Sequence, residues 1–176
     1  MLNVFRRNPR STIEALYGAI VAQARAPVFY TDYAIPDTVN GRLDALMLHL
    51  GLVFERLSQG DEAAKEAGQA VFDRFCRDVD DHLREDGISD MKVPKQVRGV
   101  AAAFLGRQRA YMSALRAGDE AALLDAFGRN IYQGDLAPAR RLAAYFRLTS
   151  GRLDQQQPSD IMVGRITWPD PATIQA

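Results

Sequence analysis

The sequence predicts an all-α protein: a single helical domain of about six helices with an extended C-terminal tail. Three observations carry this reading. Apolar residues recur at three- and four-residue spacing along six stretches. Helix-stop and helix-start residues separate several of those stretches, as at Gly60-Asp61 and Gly118-Asp119. With 176 residues, 47% of them hydrophobic and 25% charged, the chain is long enough to bury one proper core.

The first helix is expected to open at a capping box, Ser11-Thr12-Ile13-Glu14, where the serine accepts from a free N–H and the glutamate reaches back. Ile13, Leu16, Tyr17, Ile20, Val21 and Ala24 form its apolar face, and Pro27 stops it. Val28 to Thr38, rich in aromatics and turn residues, is expected to be irregular. The second helix starts near Thr38 to Gly41 and runs to about Ser58. Leu43, Leu46, Met47, Leu50, Phe54 and Leu57 share one face, while Ala45, Leu48 and Leu52 share the opposite one. A helix apolar on both sides belongs in the middle of a bundle.

Asp61 is the N-cap of a third helix reaching about Asp86, and Glu62 complements its dipole. Phe72, Phe75, Cys76, Val79 and Leu83 face inward, and Gly87 suits the position just past the end. ISDMKVP is a connector, and Pro94 fits the first turn of a fourth helix to about Ala117. Val97, Val100, Ala101, Phe104, Leu105, Tyr111 and Leu115 lie along it. A fifth helix runs from Asp119 to about Tyr132, and a sixth from near Ala137 to Leu153. Residues 1–154 are thus the helical domain and 155–176 a Pro/Gln-rich tail. In the tail, Ile161, Val163, Ile166 and Trp168 alternate as if extended against the bundle, and the rest is expected to fray.

Net charge is zero, which argues against nucleic acid as a partner. The charge is unevenly spread: −5 over residues 1–91, +7 over 92–152 and −2 over 153–176, with no acid from Val93 to Arg116. Such a chain either pairs its halves internally or shows a basic face to an anionic membrane. No apolar run is long enough for a membrane span. MLNVFRRNPR lacks a following apolar h-region, so no signal or transit peptide is expected. The single cysteine, Cys76, forms no internal disulfide and fits a reducing compartment. A cytoplasmic location is expected, with peripheral association at an anionic membrane surface.

Two flanks of the third helix carry charge. Asp73–Arg77 and Asp80–Arg84 are acid-before-base pairs at the favourable spacing. Asp78, His82 and Glu85 share the other flank, which reads either as a solvated face or as a cation site lacking supporting carboxylates on other helices. Glu85 and Asp86 lie in the last turn, where the dipole disfavours anions. With Asp90 they are expected to face Lys92, Lys95 and the Arg42/Arg107 region across the connector. His49 reads as a histidine at the edge of the core. Phe29, Tyr30 and Tyr33 either plug the bundle end or offer an aromatic contact to an apolar client. Gly-rich phosphate loops, paired cysteines and nucleophile-elbow motifs are absent from the sequence. No catalytic residue, metal or cofactor is therefore expected.

The ordered series Phe29-Tyr30, Pro36-Asp37-Thr38 with Gly41-Arg42 and Asp44, Leu48-His49-Leu50, Glu55-Arg56-Leu57, Phe72-Asp73 with Phe75, RDVDDHLRE (Arg77 to Glu85) with Gly87 and Asp90, Val93-Pro94-Lys95 with Val97, and Gly106-Arg107 resembles the ubiquinol–cytochrome c chaperone family, over about Ala15 to Leu115. The chain departs from the family pattern at Val79, Asp86, Ile88-Ser89 and Leu105. The resemblance implies a non-enzymatic assembly factor for the cytochrome bc1 complex. Its client would be newly made cytochrome b apoprotein at the membrane surface, with an accessory assembly factor or the ribosome as further partners. It implies partner contacts at Phe29, Tyr30, Pro36, Asp37, Arg42, Asp44, His49, Asp78, Asp80, Arg84, Glu85, Asp90, Pro94, Lys95 and Arg107. The alternatives are a helical metalloenzyme built on Asp78, His82 and Glu85, or a general interaction adaptor.

Overall fold

The computed structural model describes residues 9–175. Six long helices account for most of it: α1 (Pro9–Ala24), α3 (Val39–Ser58), α4 (Glu62–Glu85), α5 (Val93–Ala117), α6 (Glu120–Ile131) and α7 (Ala137–Asp154). Two short ones, α2 (Val28–Thr31) and α8 (Pro158–Met162), and a 3-10 turn at Pro171–Thr173 complete the all-α fold. No helix among the described residues is long and apolar enough to cross a membrane. The expectation of no leader concerns residues that lie largely outside the described ones.

α3 packs against α1, α4, α5, α6, α7 and α8. Its two apolar faces explain that position: Leu50, Val53 and Leu57 are buried on one side and Ala45, Leu48 and Leu52 on the other. Aromatic rings lock the surrounding layers. Phe54, Phe72, Phe75 and Phe104 join α3, α4 and α5. Tyr111, Phe127 and Phe146 join α5, α6 and α7.

Most helix ends sit where the local chemistry puts them. Thr38 accepts a hydrogen bond from the Gly41 amide at 3.1 Å, and Asp61 accepts one from Ala64 at 2.9 Å. Asp119 caps α6 through Ala122. Gly87 (φ 79°) and Gly118 (φ 64°) turn the chain in the left-handed region after α4 and α5.

Three local expectations fail. Ser11 is no N-cap, because α1 already includes Pro9 and Arg10; Glu14 instead takes the Arg74 guanidinium of α4 at 2.8 Å. Val28 to Thr31 is not irregular but forms α2, closed by backbone bonds from Thr31 to Pro27 and Asp32 to Val28. Residues 155–175 are neither extended throughout nor frayed. They form α8 and then strap across the bundle, because Gln156 bonds both the amide and the carbonyl of Thr167, the Tyr33 hydroxyl donates to the Pro171 carbonyl at 2.8 Å, and Arg141 donates to Ile174. Gly164 (φ 80°) passes so close to α1 that a Cβ would lie 2.7 Å from the Ala15 carbonyl.

Candidate functional site

A groove of about 830 Å³ opens between the first half of α3, the middle of α5 and the end of α6. Buried or half-buried Leu43, Met47, Val100 and Ile131 supply its apolar lining, and the amides of Asn40, Gln96, Asn130 and Gln133 supply polar groups. Gly99 and Ala103 form the α5 wall; a Cβ at Gly99 would meet nothing within 4 Å, so this wall is shallow by choice of residue rather than by crowding. Gly41 is different: a Cβ there would lie 1.9 Å from the Pro36 carbonyl oxygen. The turn Pro36 to Gly41 can therefore lie tightly against the start of α3 only with glycine at that position.

Inside the groove, Arg107 of α5 donates to the Asp44 carboxylate of α3. Their side chains are 23% and 13% exposed. Burial raises the Asp44 carboxyl above its usual range, and the Arg107 hydrogen bond and charge pull it back. A raised folded-state value means that protonation of Asp44 favours folding: that stability is present below pH 3.8 and lost as pH rises through the folded value. Arg107→Gln pushes the folded value higher and extends the loss to higher pH. We expect it to destabilise the protein by about 1–3 kcal/mol near neutrality, discounted for the pair's partial exposure, and by less as pH falls. Asp44→Asn with Arg107→Gln should recover most of the loss; urea unfolding at several pH values checks both.

The residues singled out in the sequence divide by location. Pro36, Asp44 and Arg107 line the groove. Asp37 and Arg42 pair with each other at 2.7 Å on the exposed turn into α3. Tyr30 is half-buried beside them, its hydroxyl donating to the Ala24 carbonyl and its ring 5.9 Å from the Arg42 guanidinium. Phe29 and His49 are fully buried and offer no surface to a partner. His49 is thus not at the edge of the core. Its Nδ1–H donates to the Ala45 carbonyl, which leaves Nε2 to accept from the Tyr145 hydroxyl at 2.9 Å. Burial lowers its pKa to about 4. The plug, not the exposed contact, describes Phe29 and Tyr33, which pack edge to face with Tyr145.

The charged end of α4 also differs from expectation. Arg84 reaches back to Asp80 at 2.5 Å and across the connector to Asp90. Among the described residues, Glu85 and Asp86 make no ion pair with Lys92 or Lys95; all four, with Pro94, stay exposed. Arg42 and Arg107 belong to the separate pairs above, so no single cluster forms. Asp78 is not free to hold a cation with His82 and Glu85. It accepts from the Tyr17 hydroxyl at 2.8 Å and neighbours Arg74 at 3.4 Å, while His82 bonds the Asp78 backbone. Among the described residues no group of three His, Cys, Asp or Glu is placed to hold a metal ion.

The α6 side of the groove, Arg129 to Gln133, was not singled out in the sequence. Its only local signal is the Gln133-Gly134 turn, where both residues adopt positive φ, 52° and 97°.

The family model for the ubiquinol–cytochrome C chaperone matches residues 31–168. It reaches through α6, α7 and α8 to Trp168, well past Leu115, and begins just after Phe29-Tyr30. Among solved structures, the Cbp3 homolog from Brucella abortus superposes with a TM-score of 0.87 at 34% identity, covering 98% of each chain. A comparison with curated protein sequences finds no match.

Proposed function

The chain belongs to the ubiquinol–cytochrome c chaperone family, and from that premise we propose that it is a non-enzymatic assembly factor for the cytochrome bc1 complex that holds newly made cytochrome b at the membrane surface. The groove between α3, α5 and α6 is the proposed client site. The observation that carries this reading is the combination of an apolar lining, the small Gly99-Ala103 wall and a half-buried Asp44–Arg107 pair. Apolar lining takes an apolar segment, and a shallow helix wall lets a client helix approach closely, as small residues do between membrane helices. The two exposed residues beside the turn, Asp37 and Arg42, would fix its register. An accessory assembly factor or the ribosome has the exposed end of α4 and the connector after it available, including Glu85, Asp90 and Pro94.

Ala103→Trp tests the client site. Ala103 is exposed, so the ring fills the groove without entering the core. We expect a melting temperature within a few degrees of wild type, together with loss of cytochrome b crosslinking in cells and reduced cytochrome bc1 levels. Full bc1 levels with a folded variant would remove the groove from the mechanism.

A further inference from the structure

α5 shows a second exposed face beside the groove wall. Lys95, Arg98, Ala102, Leu105 and Arg109 follow one another at three- and four-residue spacing and are all exposed. From Lys95 to Arg109 the row extends about 21 Å, at 1.5 Å per residue. The helix has no acid of its own. The acids that reach its cations from α3 take Arg107 and Arg116, and among the described residues no carboxylate pairs with Lys95, Arg98 or Arg109. Among the described residues outside α5, Arg42, Arg74, Arg84, Arg129, Arg141, Arg147 and Arg165 have acidic partners.

We propose that this row is a docking ridge for an anionic lipid surface. The charge is complementary, and Leu105 sits among the cations as an apolar contact at headgroup depth. Ala102 and Gly106 keep the ridge low, so three cations can reach one plane. A nucleic-acid partner fits less well: the row has no aromatic residue for base stacking, and the chain's net charge is zero. The ridge deepens the proposed function and rests on it. Gly99 and Ala103 lie on the adjoining face of the same helix, so a ridge laid on lipid opens the groove at the lipid–water boundary, where an apolar segment can enter it without crossing water.

The test uses the purified full chain and sedimentation with phosphatidylcholine vesicles, with and without phosphatidylglycerol. Wild type should bind only the anionic vesicles and release as salt shortens the screening length. Lys95→Gln/Arg98→Gln/Arg109→Gln should lose roughly a hundredfold in partitioning, while Arg25→Gln/Arg140→Gln/Arg152→Gln, with the same charge removed elsewhere, should lose little. Unchanged circular dichroism melting shows that both variants fold; salt release of the wild-type chain gives a readout that needs no variant. Equal loss in the two triple variants, equal binding to neutral vesicles, or binding that survives high salt would overturn the ridge. So would absence of vesicle binding together with retention on RNA that the ridge variant loses. The ridge variant should still crosslink to detergent-solubilised cytochrome b, whereas Ala103→Trp should do the reverse, so failure of the ridge and failure of the client site are distinguishable.

Discussion

Phe29→Ala is expected to lower the unfolding free energy by about 3–5 kcal/mol, near the upper end for a single buried ring. Phe29 has no exposed surface and touches three other rings, with centroids 5.2 Å from Tyr33, 4.9 Å from His49 and 5.0 Å from Tyr145. Tyr33 follows α2, His49 belongs to α3 and Tyr145 to α7, so the cavity left behind has walls on three segments and cannot collapse by moving one side chain. Tyr30→Ala, one residue on, should lose less, about 1–2 kcal/mol, because the ring is half-buried and its hydroxyl makes one hydrogen bond, to the Ala24 carbonyl. Denaturant midpoints of the two variants check the contrast. Equal shifts would mean that α2 does not anchor the core through Phe29.

A second large effect should appear on mild acidification. His49 is neutral in the fold, with a pKa lowered to about 4 from 6.5 by burial. A depressed value means the stability it contributes is complete above pH 6.5 and is lost as pH falls toward about 4. The slope is about 1.4 kcal/mol per pH unit, so roughly 2 kcal/mol disappears before most carboxylates titrate. Protonation would put a charge among Phe29, Tyr145 and Trp168, and would turn Nε2 from an acceptor into a donor facing the Tyr145 hydroxyl. The hydroxyl also accepts from Gln23, so it has limited room to rearrange. Equilibrium unfolding between pH 7 and pH 5 measures the slope, and His49→Gln should flatten it. A wild-type stability that stays level over that range would show that His49 takes up its proton in the fold near its unfolded value, and so is reached by water.

What the sequence disclosed was mainly local chemistry. Asp61, Asp119, Gly87 and Gly118 act within one turn of their own positions, and the structure uses each where periodicity placed it. The central place of α3 was legible because both of its faces are apolar. Several of the failures share a different cause: partners far away in the chain. Glu14 looked like half of a capping box, but its partner is Arg74, 60 residues on. His49 looked marginal because its acceptor role depends on Tyr145, 96 residues away. The pairing of Asp44 with Arg107 across 63 residues left no trace in spacing, although a family resemblance brought both residues forward. The same holds for the α6 side of the groove, whose residues carry ordinary polar chemistry until α3 and α5 stand opposite them.

The strap at residues 164–174 bears on how the molecule comes into being. Tyr33 and Pro171 are 138 residues apart in the chain, and Trp168 closes over His49. Contacts of such high sequence separation form late, after the entropy of a long loop has been surrendered. During synthesis α1 to α7 can collapse around α3 while the ring cluster of Phe29, Tyr33 and His49 still lacks its cover. Its cover is expected to be complete only once the polypeptide through Ile174 has left the ribosome. Closure by the strap is therefore expected to follow helical collapse. A nascent chain held short of the strap should be more sensitive to proteolysis near α2 than the released protein.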